Sequence, residues 1–308
     1  GSEMCIRDRE NIKDYSFRWR WNMVNDFRPQ SIESSGIKSY PTANYVNYYG
    51  MQNGYPINDM TKADAESGYD PTHPWKNRDP RFYKTIMFDG VKWRNTGGAG
   101  GTAELFTGGR ESEEANEKKG CFTAYMNSKL CPQLMNTFDG YKENNIMILS
   151  LMRLADVYLM YAEATAVGYN SPKGKAATYS LTAEEALNKI RERAGVAPVL
   201  EKFLGSTADF LSELRRERAV ELSFEGFRFT DLRRWMLLTQ YPYTLKTKIE
   251  FDRADPNNYN YDAPEENAIK NLREVVLIER KYTDRHYWYP LPKKDVSMYE
   301  GFYQNPGW

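Results

Sequence analysis

Hydrophobic periodicity divides the chain. In residues 10–30 aromatic and basic residues alternate, Phe17, Trp19 and Trp21 against Arg18 and Arg20. Period two predicts a strand or extended segment there. From about residue 146 the period becomes helical. Within SLMRLADVYLMYAEATAV (150–167), Leu151, Leu154, Ala155, Tyr158, Ala162 and Ala166 share one face. Val157, Met160 and Ala164 cover much of another, which predicts a largely buried helix ended by Gly168, with Pro172 beyond. A second helix opens on a capping box, Thr182 with Glu185 three residues on, and stops at Gly195. A third is expected from Ser206 or Thr207 to about Phe224, broken by Gly226, and a short fourth over 228–238.

Between these segments the pattern is that of loops. Residues 31–61 carry the breakers Gly36, Pro41, Gly50, Gly54 and Pro56, with one short helix expected from Thr42 in PTANYVNYYG. Asp70-Pro71 and Asp79-Pro80 read as turns, followed by a strand over Tyr83 to Phe88 and another over 122–129. The Gly97 to Gly101 run lacks the Gly-Lys-Ser/Thr ending of a phosphate loop and reads as a surface loop. Residues 241–270 read as Tyr-, Asn- and Pro-rich loop and 273–280 as a strand. Pro290 and Pro292 enforce an extended tail whose aromatics are expected to dock on the core. The fold class is therefore mainly α: a tetratricopeptide-like helical hairpin plus further helices, with irregular loops and a few short strands. Only one such hairpin is visible, so no repeat array is predicted.

Composition narrows the function. At 308 residues the chain makes one large domain or two smaller ones, and 41% apolar residues suffice for a core. The 42 basic residues balance 42 acidic ones, which removes any electrostatic case for nucleic acid or an anionic membrane surface. No apolar run reaches the length of a transmembrane helix. No signal peptide is visible, and no apolar stretch precedes Cys5 to make it a lipidation site. The opening MCIRDR reads as a translated adapter remnant, so residues 1–9 are expected to be foreign and the chain truncated. Cys121 and Cys131 either pair across a short loop or stay free, and the two His lie too far apart to suggest zinc. No cofactor is expected. The 23 Tyr, 14 Phe and 7 Trp offer flat faces with polar edges, suited to sugars and protein interfaces, or else fill an irregular core.

The densest chemistry is RRERAVELSFEGFRFTDLRRW, Arg215 to Trp235. Charges are threaded among apolar residues without a separate polar face, so several must be buried and paired. Glu221 and Glu225, four apart, share a helical face like the carboxylate pair of a glycoside hydrolase. An acid catalyst needs a raised pKa, however, and the neighbouring arginines lower it. The segment is instead expected to form a structural ion-pair network of Arg215, Arg218, Glu221, Glu225, Asp231 and Arg233, bracing the third helix to the fourth.

Four phrases in order resemble the SusD/RagB family. PTANYV resembles its PTxxLV element, YDPTHPWKNRDPRFY its RDPRF element and MRLADVYLMYAEA its first C-terminal helix. The charged segment, with the terminal WYPLPKKD and QNPGW, completes the set. The resemblance implies a SusD-like α-α superhelix spanning residues 10–308, with a loop-rich aromatic part (10–145), a helical part (146–308) and the family's N-terminal helical repeats missing. It implies an outer-membrane, surface-exposed nutrient-binding lipoprotein, anchored through a lipid absent from this chain. The implied partners are an oligosaccharide, sometimes a peptide, and a SusC-like TonB-dependent transporter. It also implies sugar-stacking residues around the PTxxLV element: Trp19, Trp21, Tyr40 and Trp93, with Arg18, Arg20 and Asn22 as polar companions. The alternative places Trp19 and Trp21 in the core. Trp75 and His73 read as loop packing and His286 as a core residue. Two other classes stay open, a helical-repeat scaffold for protein contacts and a glycoside hydrolase.

Overall fold

The computed structural model describes residues 40–95, 101–115, 117–129, 139 and 150–308. The segments 1–9 and 10–30, residues 97–100 of the glycine run and Cys131 lie outside them. Seven α-helices and four strands occur among the described residues.

Three helices form one core. Helices α3 (Leu154–Gly168), α4 (Ala183–Ala194) and α5 (Thr207–Glu221) pack through Leu159, Ala162, Leu187, Ile190, Phe210 and Leu214, all buried. Alanines at the α3–α4 contact let the two backbones approach, as a helical hairpin requires. Local chemistry sets the ends. Thr182 Oγ1 accepts from Glu185 N at 3.2 Å, and the Glu185 carboxylate accepts from Thr182 N at 2.7 Å. Gly195, at φ 75°, closes α4 in the left-handed region. Ser206 Oγ accepts from Asp209 N at 3.1 Å and starts α5. After Gly226, α6 (Phe227–Arg234) turns away. The outer face of α3 differs from the expectation of a largely buried helix. Val157 and Met160 are each 42% exposed and Val167 is 58% exposed, because α4 and α5 cover only the opposite side.

A second core gathers the irregular 40–129 region around Trp75, Phe82, Phe88 and Tyr125. Phe82 stacks on Phe88 at 5.2 Å, and Trp75 Nε1 donates to Tyr125 Oη at 3.3 Å. Helix α1 (Ala43–Val46) follows Thr42 as expected. The strand expected over 83–88 is mostly helix: α2 spans Pro80–Thr85, and only β1 (Ile86–Met87) is extended. The Asp79 carboxylate caps Arg81 N at 2.9 Å and Pro80 occupies the first helical position, so Asp-Pro starts a helix here rather than a turn. Strand β2 (Met126–Asn127) pairs antiparallel with β1.

The segment expected to be loop over 241–270 holds β3 (Leu245–Arg253), antiparallel to β4 (Ile269–Glu279). Along β3, Thr247, Ile249, Phe251 and Arg253 are buried, and Ile249 and Phe251 join the core of the 40–129 region. Arg253 is held there by Asp89, at 2.7 and 3.0 Å. The tail, with α7 (Lys293–Met298), is not docked as expected. Trp288, Tyr289, Tyr299 and Tyr303 are exposed, and Trp308 folds back on Arg285, donating to its carbonyl at 2.9 Å. His286 is half-buried between the edges of Tyr282 and Trp308 rather than inside the core. Cys121 is a free, buried thiol, pushed up to about 11 by burial.

Candidate functional site

Helix α5 carries Glu213, Glu217 and Glu221 at four-residue spacing, which aligns them on one face. That face meets arginines from three other segments. Glu217 binds Arg81 of α2 at 2.5 Å and Arg191 of α4 at 3.0 Å. Glu221 takes Arg81 at 3.0 Å, Arg153 at 2.8 Å and Arg193 at 2.5 Å. Glu225 takes Arg153 at 2.8 Å and Lys129 at 2.7 Å, and Glu213 holds Arg191 and Arg216. On the other side of α5, Arg218 joins Asp156 of α3 at 2.5 Å to Asp231 of α6 at 2.8 Å.

The electrostatics follow from this density. Burial by itself would raise the Glu217 carboxyl, but Arg81 and Arg191 outweigh it and hold the group down at about 2. Burial likewise opposes ionisation of Glu221, yet Arg81, Arg193 and Arg153 hold it below the usual carboxylate range. A general acid needs the reverse shift.

Of the residues expected in the network, Arg218, Glu221, Glu225 and Asp231 lie in ion pairs. Arg215 and Arg233 make none among the described residues. Arg233 Nε donates to the Tyr287 carbonyl at 3.0 Å, and its guanidinium lies over Tyr289. Arg215 lies 5.4 Å from the Trp235 ring centre, and its buried Nε has no hydrogen-bond partner among the described residues. The brace also runs more widely than from the third helix to the fourth. Arg81, Arg153, Arg191, Glu213 and Glu217 were not anticipated, and their partners lie up to 140 residues away in sequence. The same phrase that supplies Arg81 supplies Arg78. Its buried guanidinium donates to Val46 O at 3.1 Å and Tyr49 O at 2.6 Å, closing the C-terminal end of α1.

A cleft of about 610 Å³ opens where α1, α5, the start of α6 and the β3–β4 hairpin converge. Tyr48, Tyr241 and Tyr243 bring rings to it, and Asn44, Asn47 and Asn58 bring amides. Hydrogen bonds fix its wall: Asn44 N donates to Thr247 Oγ1 at 2.9 Å, and Asn44 Nδ2 to Leu245 O at 2.7 Å. Asn47 Oδ1 is buried with no hydrogen-bond partner among the described residues. Arg228 extends across the wall, 4.8 Å from the Tyr48 ring centre and 5.6 Å from that of Tyr243. Aromatic faces beside amide and guanidinium groups suit a polyhydroxylated ligand, and the volume suits a small one. Among the described residues no group of His, Cys, Asp and Glu is placed to hold a metal ion.

Of the stacking residues inferred from the resemblance, the two that are described, Tyr40 and Trp93, do not line this cleft. Trp19, Trp21, Arg18, Arg20 and Asn22 lie outside the described residues. Tyr40 and Trp93 are core residues, 7% and 5% exposed, so neither offers an open ring face. Tyr40 packs edge-on against Phe122 and donates to Lys119 O at 3.2 Å, while the Arg94 guanidinium lies over Trp93. The cleft tyrosines were missed because Tyr48 hides in the middle of PTANYVNYYG and Tyr241 and Tyr243 in a segment read as featureless loop.

The described residues thus form a mainly helical fold with a helical hairpin, inserted loops and an open cleft. The family model described as the SusD family matches residues 6–308, and the chain belongs to that family. A SusD-like protein from Bacteroides fragilis NCTC 9343 has a similar structure, with TM-score 0.60 and 23% identity over 87% of this chain and 47% of that one. A SusD superfamily protein from Parabacteroides distasonis ATCC 8503 has TM-score 0.46 and 18% identity over 94% of this chain and 49% of its own. The chain thus spans about half the length of these solved relatives. No curated protein sequence matches it.

Proposed function

We propose that this chain binds oligosaccharide in the 610 Å³ cleft and serves nutrient capture without breaking a bond. The observation that carries the reading is the cleft's lining: three tyrosine rings beside asparagine amides and an arginine that lies against two of those rings. Sugar C–H faces stack on such rings while hydroxyls bond to the amides and guanidinium. Membership of the SusD family supports a role in nutrient uptake. On that basis the protein acts at the outer-membrane surface, held by a lipid anchor, and passes its ligand to a SusC-like TonB-dependent transporter. Among the described residues no helix is long and apolar enough to cross a membrane. Against the hydrolase alternative stands Glu221, whose carboxylate is held ionised by three guanidiniums.

Calorimetric titration against an oligosaccharide panel, with hydrolysis products followed in parallel, tests the reading. It expects saturable binding that Tyr241→Ala weakens, and intact oligosaccharide at the end. Absence of binding across the panel, or turnover, contradicts it. Co-purification with a TonB-dependent transporter tests the partner. A second reading, a surface for protein contact, is favoured by the exposed Leu151, Met152, Val157 and Met160 on and before α3. Loss of transporter co-purification on Met160→Lys, with saccharide binding intact, would assign that face to the partner.

A further inference from the structure

The arginines of the 215–234 segment divide into two groups. Arg216, Arg218 and Arg234 make ion pairs with Glu213, with Asp156 and Asp231, and with Asp231 and Glu163. Arg233 is occupied by a backbone carbonyl. Arg215 and Arg228 make no ion pair among the described residues, and both line the cleft. In a segment where carboxylates are so abundant, these two guanidiniums stand without one.

The wall's acidic groups offset them only in part. Glu213 is neutralised by Arg191 and Arg216, and Glu274 stands on β4, accepting from Thr247 Oγ1 at 2.6 Å. Positive charge extends behind Arg228. Burial first, and then Arg280 and Arg228, push the Lys246 ammonium down to about 8. A partly desolvated cationic wall holds an anion better than an exposed one, since water and salt screen it less.

We infer that the cleft is selective for an anionic saccharide, a uronate or sulfate-bearing oligosaccharide, with Arg215 and Arg228 as the groups that take its charge. A guanidinium offers a planar fork of donors matched to carboxylate and sulfate oxygens. The tyrosine rings beside it stack on the sugar that carries the anion. The inference rests on the saccharide-binding reading above and narrows it to one substrate class.

The test uses the full 308-residue chain. Binding isotherms are measured with neutral, carboxylated and sulfated oligosaccharides of equal length and with an acidic peptide. Wild type, Arg215→Gln, Arg228→Gln and Arg228→Lys are compared, and melting curves establish that each variant is folded. The expected result is affinity for at least one acidic series about tenfold or more above the neutral one. That preference weakens with added salt, is lost in Arg228→Gln and is partly kept in Arg228→Lys. Whichever acidic series binds more tightly identifies the anion. Equal affinity for neutral and acidic sugars, or no effect of Arg228→Gln, overturns the inference and leaves saccharide binding standing. Preference for the acidic peptide over every saccharide overturns it too. Absence of any saccharide binding by the folded wild type overturns the underlying reading itself. Should Arg215→Gln fail to fold, the Arg228 variants decide the matter alone.

Discussion

Two faces of helix α5 use the same side chain in opposite ways. On one, Arg81, Arg153 and Arg191 are bound to Glu217 and Glu221 in a mostly buried cluster. On the other, Arg215 lines the cleft, joined there by Arg228 of α6, and neither has a carboxylate partner among the described residues. The comparison separates two uses of buried charge. A guanidinium held between carboxylates fastens segments together, and removing one partner leaves a buried charge uncompensated. A guanidinium beside tyrosine rings at a cleft, with no carboxylate among the described residues, is placed to meet an anion that a ligand brings.

The largest effect that would sharpen this contrast is Glu217→Gln. It removes the charge that Arg81 and Arg191 share, and a loss of about 3–5 kcal/mol in denaturant melts is expected. A loss under about 1 kcal/mol would break the claim that this face braces the fold.

Acid should expose the same brace without mutation. The folded Glu217 pKa, at about 2, lies below its ordinary value of 4.5, so the native state binds fewer protons than the unfolded state. Its contribution is complete above the ordinary value and is lost as pH falls toward the folded one. For Glu217 alone the difference amounts to about 3 kcal/mol. Glu213 and Glu221 shift in the same direction. Wild-type stability followed from pH 6 to pH 2 should therefore fall steeply, and the fall should be shallower in Glu217→Gln.

On the cleft side the expected signature is reversed. Tyr241 is 76% exposed, and its replacement by alanine should change stability by no more than about 0.5 kcal/mol. Saccharide affinity should fall about tenfold, as for a lost aromatic platform. The smallest effect calibrates the scale. Thr182→Ala removes the α4 cap and should cost about 1 kcal/mol, leaving ligand affinity unchanged because α4 does not line the cleft.

How far these features were legible in the sequence depended on their range. The α4 box, its Gly195 terminus and the Ser206 cap act within a few residues, and their signatures are readable directly. Strand β3 was hidden because two of its buried positions, Thr247 and Arg253, are polar, which masks the alternation. Asp79-Pro80 fits both a turn and a helix start, and only the packing of Phe82 on Phe88 decides between them. The charged segment announced that arginines would be buried but not which. Arg81 and Arg153 come from other parts of the chain, and Arg215 and Arg233 resemble their paired neighbours in sequence while facing other surroundings. Tyr40 and Trp93 misled for a related reason. Trp93 and Tyr48 look alike as candidates, and only the fold buries one and leaves the other at an opening.

One measurement separates the two faces most directly, the paired urea stabilities of Arg218→Gln and Arg228→Gln. Arg218 bridges Asp156 and Asp231 deep between α3 and α6, so its loss should cost about 3 kcal/mol or more. Arg228 has no carboxylate partner among the described residues, and its loss should cost less than about 1 kcal/mol. Equal losses, or a larger loss for Arg228→Gln, would contradict the division of these arginines into a brace and a binding wall.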